Sequence, residues 1–253
     1  MARASASHVT VVVPAYDREA VVEAAIRSVL DQDWPSLDVV AIDDGSRDRT
    51  LAVLRAIDDP RVTVLSNDGL KGASGARNAA LAHARGDWIA FQDSDDLWRP
   101  GRLSRQMPHL VGSAHVGGFC AMDVTGDAFG TARKPEPALG AALADPAGVE
   151  RTLLREPAIS TQLMIVRADA LRRLGGFDPA MPPLEDWDLA LRLLRLGTLH
   201  HLPEALVEQR ISPNSISQVV SDRRAAMARI LERHRDRIIR VPGALRAHEA
   251  RLA

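Results

Sequence analysis

The chain reads as an α/β protein, an α/β/α sandwich on a mixed, mainly parallel sheet. Short β-branched apolar runs alternate with stretches of helical periodicity, and polar loops follow the runs. Such alternation implies right-handed crossovers between parallel strands. At 253 residues, 46% apolar and 26% charged, the chain is long enough for a real core.

Val9-Thr10-Val11-Val12-Val13 reads as a central strand ended by Pro14, and Val21–Leu30 as a helix with Val22, Ile26, Val29 and Leu30 at helical spacing. Val39–Ile42 is a second buried strand, ending in Asp43-Asp44-Gly45-Ser46, after which Asp48 can cap a helix to about Ile57. Val62–Leu65 is a third strand. A loop from Gly69 to Gly75 leads into a helix through Ala84, and Trp88–Gln92 is a fourth strand. The second half is less regular. His115–Asp123 and Gln162–Val166 read as strands, and Ala168–Leu174 as a helix stopped by Gly175-Gly176. Thr125–Gly148 reads as loop or weak helix. Asp186–Leu196 is amphipathic, and Val219–Ile239 is a charged helical tail interrupted at Pro242-Gly243.

Composition excludes several classes. The formal net charge of -1 offers no field for nucleic acid. Cys120 is the lone cysteine, so neither a disulfide framework nor a thiolate metal site is open to one chain. The eight histidines show no metal-ligand spacing. The start lacks the apolar core of a signal peptide, and no run approaches the ~20 apolar residues of a membrane span. A cytoplasmic protein is expected, with peripheral membrane contact left open. The arginines Arg223, Arg224, Arg229, Arg233, Arg235, Arg237 and Arg240 of the tail read as a solvated helix face, or as a surface for a partner or anionic membrane. Oligomeric state is not indicated.

The chemistry concentrates where strands end. Phe91-Gln92-Asp93-Ser94-Asp95-Asp96 follows an apolar run. Like charges that close need compensation, and Mg²⁺ is held by one or two carboxylates plus substrate phosphates. Strand alternation would aim Asp93 and Asp95 the same way. The plainer reading is a solvated acidic turn with Asp96 capping a helix. Asp44 can accept the imide N–H of a pyrimidine ring, or merely sit in an Asx turn made by Gly45 and Ser46. Tyr16, the sole tyrosine, can stack on a base or pack half-buried. Arg77, after the glycine-rich stretch, can meet phosphate or lie in solvent. Glu185-Asp186 at a helix start is a cap, a dipole partner or a general base. Trp98 and Trp187 are sugar platforms or core residues. All the strand-end loops would converge at the carboxyl ends of the strands, where open α/β sheets bind ligands.

The order of motifs resembles family 2 glycosyltransferases of the GT-A (Rossmann-like) fold. The matching stretches are Val11–Tyr16, Asp43–Ser46, Gly75–Ala80, Phe91–Asp96, Gly175–Asp178 and Glu185–Asp188, across residues 9 to 217. The resemblance implies an inverting glycosyltransferase using a nucleoside-diphosphate sugar, with UDP expected, and Mn²⁺ or Mg²⁺. Tyr16 and Asp44 would hold the base, with Pro14 and Ala15 lining its pocket. Arg77 would lie near base or phosphates. Asp93 and Ser94 would line the donor site, Asp93 facing ribose or metal, and Asp95 would bind the metal. Asp186 would be the catalytic base. The acceptor would be a glycan, a lipid-linked glycan or a small molecule, in cell-surface glycan or polysaccharide synthesis.

A single domain is expected over 1–253, with a donor half (1–98), an acceptor half (99–217) and a tail (218–253). One departure is Ser212, where relatives often carry His. It motivates a competing reading as a catalytically weak or inactive nucleotide-sugar binder. A sugar-phosphate nucleotidyltransferase would need a glycine-rich, arginine-containing loop after the first strand, where this chain has Pro14-Ala15-Tyr16-Asp17-Arg18. A dinucleotide-dependent oxidoreductase lacks its Gly-x-Gly-x-x-Gly there.

Overall fold

The β-branched runs assemble as strands of one sheet. The computed structural model describes residues 7–126, 130–181, 183–210 and 221–252. In chain order they form β1 (Val9–Ala15), α1 (Val22–Leu30), β2 (Leu37–Asp43), α2 (Thr50–Arg55), β3 (Val62–Ser66), α3 (Ala73–Leu81), β4 (Trp88–Phe91) and β5 (Asp96–Trp98). There follow α4 (Arg102–Gln106), β6 (His115–Gly126), β7 (Gly130–Lys134), α5 (Pro146–Arg155), β8 (Met164–Arg167), α6 (Ala168–Leu174), α7 (Glu185–Leu193), β9 (Thr198–Arg210), α8 (Ser221–Ile238) and α9 (Ala244–Leu252).

The sheet order is β3-β2-β1-β4-β8-β6-β9-β5, with β7 paired to β6. The β3-β2-β1-β4 half is parallel, and β6 runs parallel to β9 in the longest register. Antiparallel β8 joins the two parts. The sheet is thus mixed and mainly parallel, as expected. Strand order turns back after β3, since β4 lands on the far side of β1. Right-handed crossovers therefore put α1 and α2 on one face and α3 on the other.

Pro14 does not end β1, which pairs with β2 through Ala15↔Asp43. The Val12 carbonyl accepts from Gln92 N–H on the β4 side, at 3.1 Å. Pro14, two residues on, faces that same side, where β4 has stopped at Phe91. Its missing N–H therefore costs no ladder bond.

Gly75 lies inside α3 rather than in a loop. A Cβ there would come within 2.0 Å of the Leu70 carbonyl oxygen, so only glycine lets the incoming loop fold over the helix. The expected loop after Thr125 contains β7, two short 3-10 turns and the start of α5. Trp98 and Trp187 are both core residues. Trp98 lies under the Arg102 guanidinium, 4.0 Å from the ring centroid. Trp187 stacks on His248, and its indole N–H donates to the Leu153 carbonyl at 2.6 Å.

The tail is not a wholly solvated face. Ala226, Met227, Ile230, His234 and Ile238 of α8 are buried. Arg237 reaches Glu150 of α5 at 2.7 Å, and Arg233 reaches Asp188 of α7 at 2.9 Å. Among the described residues no helix is long and apolar enough to cross a membrane.

Candidate active site

Strands β1, β2 and β4 run the same way, so their following loops share one rim. The first two loops are tied together. Asp17 N–H donates to Ser46 Oγ (3.0 Å), Arg47 N–H to Asp17 Oδ1 (2.7 Å) and Arg18 N–H to Thr50 Oγ1 (2.7 Å). Tyr16 projects from this collar with 37% of its surface exposed, so its ring is not a core residue. Pro14 is half-buried beside it, and the Ala15 carbonyl accepts from Asp44 N–H at 2.8 Å.

Two carboxylates at the end of β2 divide the labour. Asp43 is buried, and its Oδ2 accepts from Gly45 and Ser46 N–H, both at 3.1 Å. This turn needs Gly45, whose φ is +88°. It presents Asp44, as the sequence suggests. Asp44 also ties in the loop before α3, accepting from Asn67 Nδ2 at 2.6 Å and Gly72 N–H at 2.7 Å. A carboxylate has about four acceptor sites, so Asp44 keeps capacity for a ligand. Sequence reading does not find buried Asn67. Its only signal is an amide placed directly after the third apolar run.

The acidic stretch is a turn rather than a strand end. Asp96 N–H donates to the Asp93 carbonyl at 3.2 Å, and the chain reverses into β5. Asp93 and Asp95 are half-buried, while Ser94 is buried within the turn. Asp96 caps no helix. It is buried against β9, pairing with Gln209, and burial together with Asp93 and Asp95 pushes its carboxyl up to about 9. Asp95 also lies above the usual carboxylate range, through burial and the Asp93 charge, with Arg18 opposing. Arg18 Nε stands 3.3 Å from Asp95, a partner the sequence reading leaves out.

Arg77 organises the floor. It is 5% exposed, donating to Asp93 Oδ1 at 2.8 Å and to Glu185 Oε1 at 3.1 Å. Its guanidinium is 5.4 Å from the Phe177 ring centroid, within cation–π range. Burial alone would lower its pKa, but Asp93, Glu185 and Asp186 outweigh that and raise it. Arg77 is therefore neither solvated nor free. Glu185 and Asp186 form the first turn of α7, where Asp186 Oδ1 accepts from Trp187 N–H at 2.7 Å. Burial and then Glu185 push the Asp186 carboxyl up to about 7. A carboxyl poised there can hold or take a proton near neutrality.

The donor set fits a hard divalent cation. Asp93 and Asp95 each use one oxygen on an arginine, and the other makes no hydrogen bond to another residue among the described ones. Even with Asp96 holding its proton near neutrality, Asp93, Asp95 and Glu185 share only Arg18 and Arg77 as ionic partners among the described residues. Among the described residues no three ligating side chains converge into a closed cage. An oxygen pair completed by substrate phosphates is the arrangement Mg²⁺ favours. Ser212 lies outside the described residues.

Fold and strand order define the GT-A class. Residues 10–175 match the sequence profile of Glycosyl transferase family 2, and the chain belongs to that family. The fold is similar to mannosyltransferase PcManGT from Pyrobaculum calidifontis, solved with GDP-Man and Mn²⁺. The TM-score is 0.72 at 22% identity, over 98% of this chain and 70% of that one. The sequence is 48% identical over 99 residues to succinoglycan biosynthesis protein ExoO of Rhizobium meliloti, covering 39% of this chain and 28% of that protein. It is 40% identical over 103 residues to the UDP-Glc:alpha-D-GlcNAc-diphosphoundecaprenol beta-1,3-glucosyltransferase WfgD of Escherichia coli, covering 41% of each. The chain thus spans less than half the length of these curated relatives.

Proposed function

We propose that the protein is an inverting, metal-dependent glycosyltransferase of cell-surface polysaccharide synthesis, acting as one domain. It moves a sugar from a nucleoside-diphosphate donor to an acceptor hydroxyl. The observation that carries this reading is the convergence of Asp93 and Glu185 on buried Arg77, with Asp186 beside them. In this reading Asp93 would face the donor and Asp186 the acceptor, and their shared neighbour Arg77 supports placing both substrates side by side. UDP is the favoured handle and a lipid-linked glycan the favoured acceptor, because the Escherichia coli relative is named for transfer from UDP-Glc to a diphosphoundecaprenol-linked sugar.

In this reading Tyr16 stacks on the base, Asp44 accepts its imide N–H, and Pro14 and Ala15 line the pocket. Arg77 fixes Asp93 from beneath, while the Asp93-Ser94-Asp95 turn borders ribose and diphosphate. Asp93 and Asp95 would hold Mn²⁺ or Mg²⁺, which when bound supplies Lewis-acid stabilisation of the departing diphosphate. Asp186 takes the proton from the acceptor hydroxyl as its oxygen attacks the anomeric carbon. The C–O bond to the diphosphate breaks on the opposite face. Holding both substrates in one crevice supplies much of the remaining acceleration.

The test is Asp186→Asn, assayed by UDP binding in a calorimeter and by transfer from UDP-glucose to a polyprenyl-diphosphate-linked sugar. Binding stays within a few-fold, and transfer falls by roughly 10²–10⁴, the usual worth of a general base. Transfer at near-normal rate would remove Asp186 from the base role.

A further inference from the structure

Leu184, at the N-cap position of α7, makes no side-chain capping bond. The first turn of the helix is held from two sides instead. Arg77 grips Glu185 from α3. On the other side stands Asp188, fully buried, two residues beyond Asp186. We propose that Arg233 and His234 of α8 are positioning residues that set this turn, and with it Asp186, through the Asp188 carboxylate. The inference rests on the reading of Asp186 as base.

Three side chains hold Asp188. Arg192, one turn along the same helix, donates to Oδ2 at 2.6 Å. Arg233 donates to Oδ1 at 2.9 Å, and His234 Nε2 lies 3.3 Å from that same oxygen. Arg233 uses its second nitrogen on Asp178 Oδ2 at 2.6 Å. Arg192 also donates to the carbonyls of Leu174 (3.2 Å) and Gly176 (2.9 Å). The segment from Gly175 to Asp178 is in turn clasped by Asn78, whose amide donates to the Phe177 carbonyl and accepts from Phe177 N–H, both at 2.8 Å. Asn78 adjoins Arg77 on α3. The links therefore close a ring through α3, the Gly175–Asp178 turn, α7 and α8.

The ring does more than fasten α8. Met227, Ile230 and Ile238 already bury an apolar stripe of that helix. Apolar packing is non-directional, so it fixes the register of the helix less sharply than a hydrogen-bonded ion pair does. A planar guanidinium spanning Asp178 and Asp188 fixes register, because its donors are rigidly disposed. A fully buried carboxylate is also intolerant of losing a partner. Helix α8 lies beyond the family match, which ends at residue 175. Helix α7, with the Glu185–Asp188 turn, lies beyond that match as well, so the profile covers neither helix.

The experiment compares Arg233→Ala, Arg233→Lys and Arg237→Ala. Arg237 ties α8 to Glu150 and to the Leu191 carbonyl without touching Asp188, so its loss controls for loosening α8 in general. Arg233→Ala lowers kcat about 10- to 100-fold, the range for a displaced catalytic group, with UDP affinity unchanged. It also speeds amide hydrogen exchange at Asp186–Asp188. Arg233→Lys recovers part of both, since one ammonium serves one carboxylate well. Arg237→Ala lowers the melting temperature but leaves kcat and that exchange near wild type. Equal losses of kcat in the Arg233→Ala and Arg237→Ala variants, or no change of kcat and exchange in Arg233→Ala, overturn the proposal. If the unmutated protein transfers no sugar, the activity reading fails, and the exchange comparison alone decides the positioning claim.

Discussion

Arg77→Met replaces the cation held between Asp93 and Glu185 with an apolar chain of similar length. Arg77 pairs with Asp93 at 2.8 Å and Glu185 at 3.1 Å, and its own side chain is 6% exposed. Removing one partner of a buried ion pair costs ~3–5 kcal/mol, because the remaining charge is stranded. The Asp93 side chain keeps 27% of its surface in water, which places the cost near the lower end. At ~2–4 °C per kcal/mol for a chain of this size, the melting temperature should fall by roughly 6–12 °C. The loss must also depend on pH. Asp186 has a folded pKa of about 7 against an ordinary 3.8, and Arg77 is among the influences holding it down. A carboxyl with a raised folded pKa supports the fold below its unfolded value and withdraws that support as pH climbs through the folded one. Without Arg77 the Asp186 pKa climbs further, so the withdrawal grows. The difference from wild type should be larger at about pH 8 than at about pH 5. Thermal melts at both pH values measure it. A fall below roughly 2 °C, or an equal fall at both, would refute the claim that Arg77 neutralises this carboxylate cluster.

Gly75→Ala drives a methyl group into the Leu70 carbonyl and displaces the loop that Asp44 holds through Gly72. Overpacking costs ~1–3 kcal/mol, and UDP affinity should drop with the melting temperature; unchanged UDP titrations would clear this loop of any part in donor binding. Asp95→Ala should abolish the Mn²⁺-dependent part of UDP affinity in calorimetry. Equal affinity with and without Mn²⁺ in the unmutated protein would count against the assignment of Asp93 and Asp95. The transfer rate should rise with pH through about 7, as Asp186 loses its proton. A rate flat from about pH 5 to pH 9 would contradict its role as base.

The parallel half of the sheet was legible because buried parallel strands are continuous apolar runs. Helix α6 falls on the predicted Ala168–Leu174. Strand β9 was not legible. Its stretch carries His200, His201, Pro203 and Glu204, and register shifts opposite Cys120 and Ala121 destroy any simple alternation. Helix α5 did have a signal in Asp145-Pro146, and Asp145 Oδ1 accepts from Gly148 N–H at 2.8 Å. The surrounding Gly, Ala and Pro concealed it. In the site, the order of the motifs was legible, but the turn at Asp93–Asp96 and the partners of the motif residues do not follow from spacing. Asn67 and Arg18 reach Asp44 and Asp95 only through tertiary folding. The arginine-dense α8 looked like a solvated face because charge hid its buried Met227, Ile230 and Ile238.

The paired loops after β1 and β2 have a thermodynamic corollary. Asp17, Arg18 and Glu19 are stitched to Ser46, Arg47, Asp48 and Thr50 by hydrogen bonds within the chain. Little chain freedom remains there to be surrendered on capture. Seating the base should therefore resemble a key entering a cut lock, and the entropic penalty of that encounter falls mainly on the incoming molecule.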